Sequence, residues 1–166
     1  TATVTPIPVN VIIAVNDLMP SSNGFTGNTN VGNVLSPNGG AADSLNGNPL
    51  TISQVNLTTT IGAVPAFTGA PVPSINNLTG QVTIPAGTPA GNYTITYQIC
   101  EKLNPTNCST AIVTIPVGAP SIVANPDTFS AVSCNATAMI GNVLGNDLIN
   151  GTPVNGNATV SVVSGS

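Results

Sequence analysis

Two segments in the middle of the chain alternate between apolar and polar side chains. In residues 91–100 (GNYTITYQIC) every second side chain from Tyr93 to Ile99 is apolar or aromatic, and residues 108–117 (CSTAIVTIPV) alternate in the same way from Ala111 onward. Successive side chains of a β-strand point to opposite faces of the sheet, so each segment predicts a strand with one buried face. Together they predict a β-hairpin.

The cysteines that end these segments suggest the register of the hairpin. Pairing the strands antiparallel with Cys100 opposite Cys108 places Tyr97 opposite Ala111 and puts every apolar side chain on one face, as a half-buried hairpin requires. In the same register Ile95 lies opposite Val113, and Tyr93 opposite Ile115. Directly opposed β-carbons are about 4.5–5.5 Å apart, close to the separation that a disulfide spans.

We therefore expect a disulfide between Cys100 and Cys108, which would contribute about 2.5 kcal/mol by the chain-entropy estimate. A redox or metal site is the alternative, but the spacing is that of neither a C-x-x-C motif nor a usual zinc site. A structural disulfide implies an oxidising, extracellular location. Glu101 and Lys102, between the cysteines, are expected at an exposed hairpin tip, either as a solubilising turn or as a contact point.

The composition agrees with an all-β fold. The chain is 41% hydrophobic and rich in Val, Ile and Thr, which favour strands, while 17 Gly, 15 Pro and many Asn favour turns. The spacing of strands and turn clusters predicts a β-sandwich. The expected strands are 9–16, 30–36, 50–60, 71–76, 81–85, 91–100 and 108–117.

The ionisable side chains argue against several functions. The chain has one Lys, no Arg, no His and five acidic residues. Acid–base and nucleophilic catalysis need a base or paired carboxylates, and the acids stand singly in the sequence, so we predict that the protein is not an enzyme. One cation cannot neutralise a nucleic-acid backbone, and no apolar run approaches the roughly 18 residues of a membrane span. We expect neither a nucleic-acid partner nor membrane insertion of this segment.

Two pairs of similar segments indicate an internal repeat. Residues 110–127 (TAIVTIPVGAPSIVANPD) are similar to residues 1–17 (TATVTPIPVNVIIAVND), and residues 141–154 (GNVLGNDLINGTPV) to residues 32–50, which carry an insertion. Both pairs give a period of about 110 residues, the size of one immunoglobulin-like sandwich. The chain is therefore predicted to be part of a tandem array.

The phase of the repeat predicts three parts. Residues 1–9 are expected to be the last strand of a preceding repeat, residues 10–117 a complete Ig-like repeat, and residues 118–166 the first half of the next. A half sandwich would expose its apolar face and unpaired edges. We therefore expect the chain to continue in both directions, or a neighbouring chain to supply the missing strands.

The segments GTPAGNYTITYQICEKLNPTNCSTAIVTIPV and ANPDTF…GNVLGNDLINGTPV resemble the tandem Ig-like repeats of giant Bacteroidota cell-surface adhesins. These are SprB-like gliding-motility adhesins and related type IX secretion substrates. The most specific part is the Tyr-x-x-Cys…Asn-Pro-Thr-Asn-Cys hairpin, whereas NVLxND is shared with cadherin-like repeats. The resemblance implies an Ig-like or cadherin-like β-sandwich, repeated along a filamentous stalk on the bacterial outer membrane. Such a stalk supports adhesion and, in gliding cells, transmits the motor's movement.

Neighbouring repeats of the same chain, and a surface polysaccharide or substratum, are the partners this function would have. Two other functions stay open. One is a polymerising surface filament whose subunits are completed by a strand from a neighbour. The other is a non-catalytic carbohydrate-binding module of a secreted enzyme, although the lack of Trp is unfavourable for a sugar-stacking surface.

Calcium is the one cofactor that the resemblance suggests, because cadherin-like relatives often bind Ca²⁺ at junctions between repeats. The matching positions are Asp17, Asp127 and Asp147. Calcium takes about six to eight oxygen ligands, so one carboxylate per junction would need help from carbonyl and Asn oxygens. Aspartates that form turns are the alternative. Asp147, in NVLGND, has no acidic counterpart in NVLSPN of the first copy.

Two further positions are candidates for covalent chemistry. Asp43-Ser44-Leu45 resembles the Asp-Ser/Thr-apolar O-glycosylation site of these bacteria, so Ser44 is a candidate acceptor. Cys134 has no counterpart in the first repeat, and its partner is expected in the remainder of the second. A free thiol or an interchain disulfide is the alternative.

Overall fold

The computed structural model describes residues 10–131, 133 and 141–164. The chain forms two compact units, of which the first ends at Ala119 and the second begins at Pro120. The assignment of residues 10–117 to a complete repeat and of 118–166 to half of another stays a prediction. Residues 1–9 lie outside the described residues.

Every regular element in the described ranges is a β-strand, which confirms the all-β prediction. The strands are β1 (Ile12–Ile13), β2 (Asp17–Leu18), β3 (Ser22–Asn23), β4 (Asn28–Asn33), β5 (Ser44–Leu45), β6 (Asn48–Pro49), β7 (Val55–Ile61), β8 (Ser74–Ile75), β9 (Gln81–Ile84), β10 (Gly91–Glu101), β11 (Cys108–Gly118), β12 (Ile122–Val123), β13 (Leu148–Ile149) and β14 (Thr152–Pro153).

The first unit is a sandwich of three sheets. The large sheet has the strand order β2-β11-β10-β7, with β3 also paired to β11. Two small sheets, β1-β5-β6 and β4-β9-β8, contribute to the same apolar core. The strands β2 and β3 run parallel to β11, whereas β10 and β7 are antiparallel to their neighbours.

The central hairpin has the predicted register. Cys100 pairs with Cys108 and Tyr97 with Ala111, and the other expected pairs follow. The inward faces are buried, as predicted, and consist of Tyr93, Ile95, Tyr97 and Ile99 on β10 and Ala111, Val113, Ile115 and Val117 on β11. Burying a Val or Ile side chain stabilises a fold by about 1.5–3 kcal/mol, so these strands carry much of the core energy.

Other strand boundaries differ from the prediction. The strand expected at 50–60 begins only at Val55, because residues 51–54 form a turn in which Gln54 N donates to Thr51 O at 3.0 Å and Gln54 Oε1 accepts from Thr51 N at 2.8 Å. The strands expected at 30–36, 71–76 and 81–85 are Asn28–Asn33, Ser74–Ile75 and Gln81–Ile84.

The segment expected as one strand over 9–16 changes sheet instead. Ile12–Ile13 pairs with β5 of a small sheet, and Asp17–Leu18 then pairs with β11 of the large sheet. Residues 14–16 make the crossing, which brings Asp17–Leu18 beside β11. Asp17 lies where the crossing ends.

The second unit repeats a part of the first. Its sheet β12-β13-β14 has the order and the antiparallel pairing of β1-β5-β6. The tight turn Asn46–Gly47 has φ values of 53° and 77°, and Asn150–Gly151 has 50° and 76°, the left-handed pair that a two-residue hairpin turn favours.

Hydrogen bonds in the two units also correspond, and they correct the sequence alignment of Asp147. Val15 N donates to Asp43 Oδ1 at 2.7 Å, and Asn125 N to Asp147 Oδ1 at 2.8 Å. The main-chain oxygens of Asp43 and Asp147 each accept from the residue that follows the hairpin, at 3.0 and 3.2 Å. Asp147 therefore does have an acidic counterpart. It is Asp43, which the insertion moves further along the first copy.

Candidate functional site: a buried aspartate–tyrosine cluster and a closed hairpin tip

Three ionisable side chains from separate segments meet in the core of the first unit. Tyr97 stands at the centre of β10 and is fully buried, because position 97 belongs to the inward set of the alternating strand. Asp17 is 5% exposed at the start of β2, and Asp43 is 1% exposed just before β5. The acids stand singly in the sequence, but the fold brings Asp17 and Asp43 together, so the expected lack of paired carboxylates is wrong for these two.

The hydroxyl of Tyr97 is the point where these groups converge. Its oxygen lies 2.9 Å from Asp17 Oδ2 and 3.2 Å from Asp43 Oδ2. It also lies 3.1 Å from each of the carbonyl oxygens of Val15 and Val34. All four of these partners accept hydrogen bonds when the acids are ionised, and the hydroxyl has one proton to donate.

The cluster thus lacks donors when both carboxyl groups are ionised. Asp43 has a second donor in Val15 N, whereas the additional donor of Asp17 is Asn38 Nδ2 at a long 3.5 Å. A proton retained on one acid supplies a further O–H donor and removes one of two neighbouring negative charges. The geometry therefore favours a cluster that keeps a proton.

The pKa values follow from the same surroundings. Burial raises the pKa of Asp17 to about 7, and the charge of Asp43 adds to the rise against the lowering effect of the Tyr97 hydrogen bond. Burial also raises the pKa of Asp43 to about 6, although its bonds from Val15 N and Tyr97 lower it. Burial and the two carboxylates raise the pKa of Tyr97, so its hydroxyl stays protonated.

Two carboxyl groups with raised pKa values are also found in acid–base active sites. Here the exposed fractions of both acids are so small that a substrate has no access to them in this conformation. What the cluster does is join the crossing segment, the loop before β5 and the central strand of the large sheet. The sequence signal that could have found it is a Tyr at an inward position, since a buried hydroxyl needs partners.

The second candidate site is the tip of the β10–β11 hairpin. Cys100 and Cys108 form the predicted disulfide, with their Cα atoms 4.1 Å apart, which confirms that expectation. Lys102 is exposed, as expected, and its Nζ donates to Ile52 O at 3.1 Å. The expectation for Glu101 is wrong, because its side chain is only 2% exposed.

Glu101 is surrounded by amide donors. Asn104 Nδ2 and Asn107 Nδ2 donate to its Oε2 at 3.0 and 3.1 Å, and Asn10 Nδ2 donates to Oε1. These hydrogen bonds, those from Asn104 and Asn107 first, lower the pKa of Glu101. The alternation of β10 explains the position, because residue 101 follows Tyr97 and Ile99 at a spacing of two on the inward face.

The bonds of Glu101 tie the hairpin tip to the start of the repeat. Asn107 Nδ2 also donates to Asn10 O at 2.8 Å, and Asn46 Nδ2 donates to Asn10 Oδ1 at 2.8 Å. An open groove of about 420 Å³ lies beside this network, lined by Asn10, Leu45, Ser53, Gln54, Glu101, Lys102 and Leu103. This lining has no aromatic ring on which a sugar could stack.

The predicted calcium positions lie in different units. Asp17 belongs to the buried cluster of the first unit, while Asp127 is exposed and Asp147 is 9% exposed in the second. Among residues 10–131, 133 and 141–164, no group of three or more His, Cys, Asp or Glu side chains is arranged to hold a metal ion. Calcium binding stays a prediction, and would depend on carbonyl and amide oxygens.

The candidate glycosylation site lies on a paired strand. Ser44 pairs with Ile13 on one side and Pro49 on the other, and it is partly buried. Its modification stays a prediction. Cys134 lies outside the described residues. No helix in the described part of the chain is long and apolar enough to cross a membrane.

The fold and these two sites define an all-β sandwich module, closed by a disulfide and held together by a buried acid–tyrosine cluster. No protein-family model matches the chain, and a comparison with curated proteins finds no match. Among solved structures the chain is similar to the ectodomain of human desmocollin-1, with a TM-score of 0.45 and 14% sequence identity. That match covers 75% of this chain and 22% of the desmocollin chain.

Proposed function

We propose that the protein is a structural stalk module of a long, filamentous cell-surface adhesin, whose task is to hold its shape while it is pulled. The observation that carries this proposal is the parallel pairing of β2 and β3 with β11. These strands stand at opposite ends of the repeat. A force that separates the ends draws β2 and β11 in opposite directions along their common axis.

This geometry loads several hydrogen bonds at once. Met19 N donates to Thr114 O and Gly24 N to Gly118 O, each at 2.9 Å, in addition to the strand ladders. The side chain of Asn16 adds a further bond, from Ile112 N to its Oδ1 at 2.9 Å. Bonds loaded together must fail together, whereas the bonds of a hairpin opened from its ends fail one at a time.

The surface chemistry supports an extracellular module. Six charged side chains in 166 residues leave the protein with a nearly neutral exterior, and a disulfide persists in oxidising surroundings. In this proposal the partners are neighbouring repeats and a polysaccharide or other substratum. The resemblance to adhesins that are type IX secretion substrates supports a place on the bacterial outer membrane and a role in gliding motility.

Single-molecule force measurements on the full chain test the mechanical part. Handles at residues 10 and 118 load β2 against β11 lengthwise, while handles at Ala90 and Gly118 open the β10–β11 hairpin from its free ends and serve as the matched control. We expect a several-fold higher unfolding force in the first geometry. Equal forces would contradict a load-resisting role.

An antibody against residues 10–118 tests the cellular part on live cells that make the protein. Surface signal that travels along the cell supports the gliding adhesin, and static surface signal supports a stalk without motility. Signal found only in the medium contradicts both.

A further inference from the structure

The second unit exposes residues whose counterparts in the first unit form the core. Val143 corresponds to Val34, because the turn that follows is the same in both units: Leu35 N donates to Asn33 Oδ1 at 3.0 Å, and Leu144 N to Asn142 Oδ1 at 3.0 Å. Val34 is completely buried, whereas Val143 is 44% exposed.

Two more positions behave in the same way. The sulfur of Met19 lies against Gly32, where an added Cβ would be 2.6 Å from it, and the ring of Phe129 lies against Gly141. Met19 is 2% exposed but Phe129 is 42% exposed. Ile122 on β12 stands where Ile12 stands on β1, and their exposed fractions are 64% and 8%.

The first unit shows what covers these positions. Tyr97 of β10 lies over Val34, whose carbonyl accepts from its hydroxyl, and Met19 N bonds to Thr114 of β11. Ile12 and its neighbour on β1 contact β11 as well. All three residues of the first unit therefore have the β10–β11 hairpin as a neighbour.

The acidic residues of the second unit identify the partner more closely. Asp147 corresponds to Asp43 by its hydrogen bonds, and Asp127 corresponds to Asp17 by the sequence repeat. In the first unit these two acids share the hydroxyl of Tyr97. A side chain that fills the same place in the second unit therefore needs a hydroxyl at the end of an apolar ring.

We propose that the face of the second unit formed by Ile122, Phe129 and Val143, here called the acceptor face, binds a β-hairpin with the pattern of Gly91–Gly118. The bound hairpin places alternating Ile and Tyr side chains on the acceptor face, and the hydroxyl of one Tyr lies between Asp127 and Asp147. The inference rests on the correspondence of the two units and not on the proposed stalk function.

Binding of a synthetic hairpin to the full chain tests the proposal directly. The probe is a disulfide-closed, fluorescein-labelled peptide of residues 89–118, and fluorescence anisotropy reports its binding. We expect saturable binding that Val143→Asp abolishes and that Val123→Asp leaves unchanged, since Val123 corresponds to Ile13, and both are exposed, by 45% and 46%. A Tyr97→Phe peptide should bind about tenfold more weakly, the loss of one hydrogen bond to an acid.

A second experiment keeps the test valid if the free peptide does not fold by itself. Val154 of the second unit corresponds to Leu50 of the first. In a fused chain, residues 51–118 therefore follow directly after Val154, which holds the hairpin at about millimolar effective concentration. Hydrogen exchange at residues 122–154 should slow at least tenfold relative to the chain without the fusion, and Val143→Asp should reverse this.

Three results would overturn the proposal. The first is peptide binding that persists in the Val143→Asp variant, and the second is unchanged exchange in the fused chain. The third is a dimer of the unmodified chain that Val143→Asp dissociates, which would assign the acceptor face to a second copy instead.

Discussion

Replacing Asp17 by Asn should remove much of the pH dependence of the first unit's stability. The native cluster holds Asp17 with a pKa of about 7, whereas its ordinary pKa, which represents the unfolded chain, is 3.8. Between these pH values the native state binds more protons than the unfolded state. The contribution of Asp17 to the free energy of unfolding is therefore fully present below pH 4 and is lost as the pH rises through 7. The wild-type unit is therefore expected to be more stable at pH 4.5 than at pH 8.

The size of this effect follows from the shift. One pKa unit corresponds to about 1.4 kcal/mol, and the full shift would give about 4 kcal/mol. Rearrangement of the cluster when Asp17 ionises offsets part of this cost, so we expect roughly half of it, about 2 kcal/mol. Asn has the shape of a protonated Asp and keeps a donor for the Tyr97 oxygen and the nearby carbonyls. The variant should equal or exceed the wild type at pH 8.

Urea unfolding at several pH values, followed by tyrosine fluorescence, measures this free energy. Asp127→Asn is the matched control, because it removes an exposed acid from the second unit. The free energy of unfolding of Asp17→Asn should still depend on pH, but less steeply, since the pKa of Asp43 is also raised, to about 6. The reasoning is refuted by a wild type whose stability rises from pH 4.5 to 8, or by a variant with the full wild-type slope.

Three further variants, the last with a control, test the two sites. Tyr97→Phe should destabilise the first unit by about 2–3 kcal/mol at pH 8 in the same urea experiment, because it removes the donor shared by two buried acids; a loss under 0.5 kcal/mol would contradict this. Replacing Cys100 and Cys108 together by Ser should cost about 2.5 kcal/mol, and reduction of the wild type should reproduce that loss. Glu101→Gln should lower the thermal midpoint measured by circular dichroism, because the new amide group would place an N–H donor against the N–H donors of the Asn side chains. Lys102→Gln, at the exposed neighbouring position, should leave the midpoint unchanged.

The sequence predicts those parts of the fold that depend on strict alternation. The register of β10 and β11 and the disulfide at its end need only a period of two and one matching pair of cysteines, and both are confirmed. Short strands such as β1 and β2 have two residues each, too few to show a period. Their sheet change depends on tertiary contacts, so a continuous strand over 9–16 was the simplest pattern and was wrong.

The candidate site was missed for a related reason. Asp17, Asp43 and Tyr97 are far apart in the sequence, and the fold brings them together only through the sheet change and the insertion before β5. Glu101 is different, because extending the alternation by one step places it inward. The general rule that a charged side chain at a hairpin tip is exposed predicts the opposite, because it takes no account of the three Asn side chains that satisfy the carboxylate.

The proton held by the cluster and the resistance to force act on the same strand. Asp17 begins β2, which the proposed load draws along β11. Its carboxyl group is held by the hydroxyl of Tyr97 on β10, the strand on the other side of β11. Ionisation of Asp17 beside Asp43 places two negative charges under β2 and weakens its attachment from the core side, while the backbone bonds to β11 stay in place. The unfolding force with handles at residues 10 and 118 should therefore fall between pH 5 and pH 8 in the wild type, and should fall less in Asp17→Asn, in which Asp43 alone ionises. A fall of equal size in both proteins would show that the cluster and the parallel strands act independently.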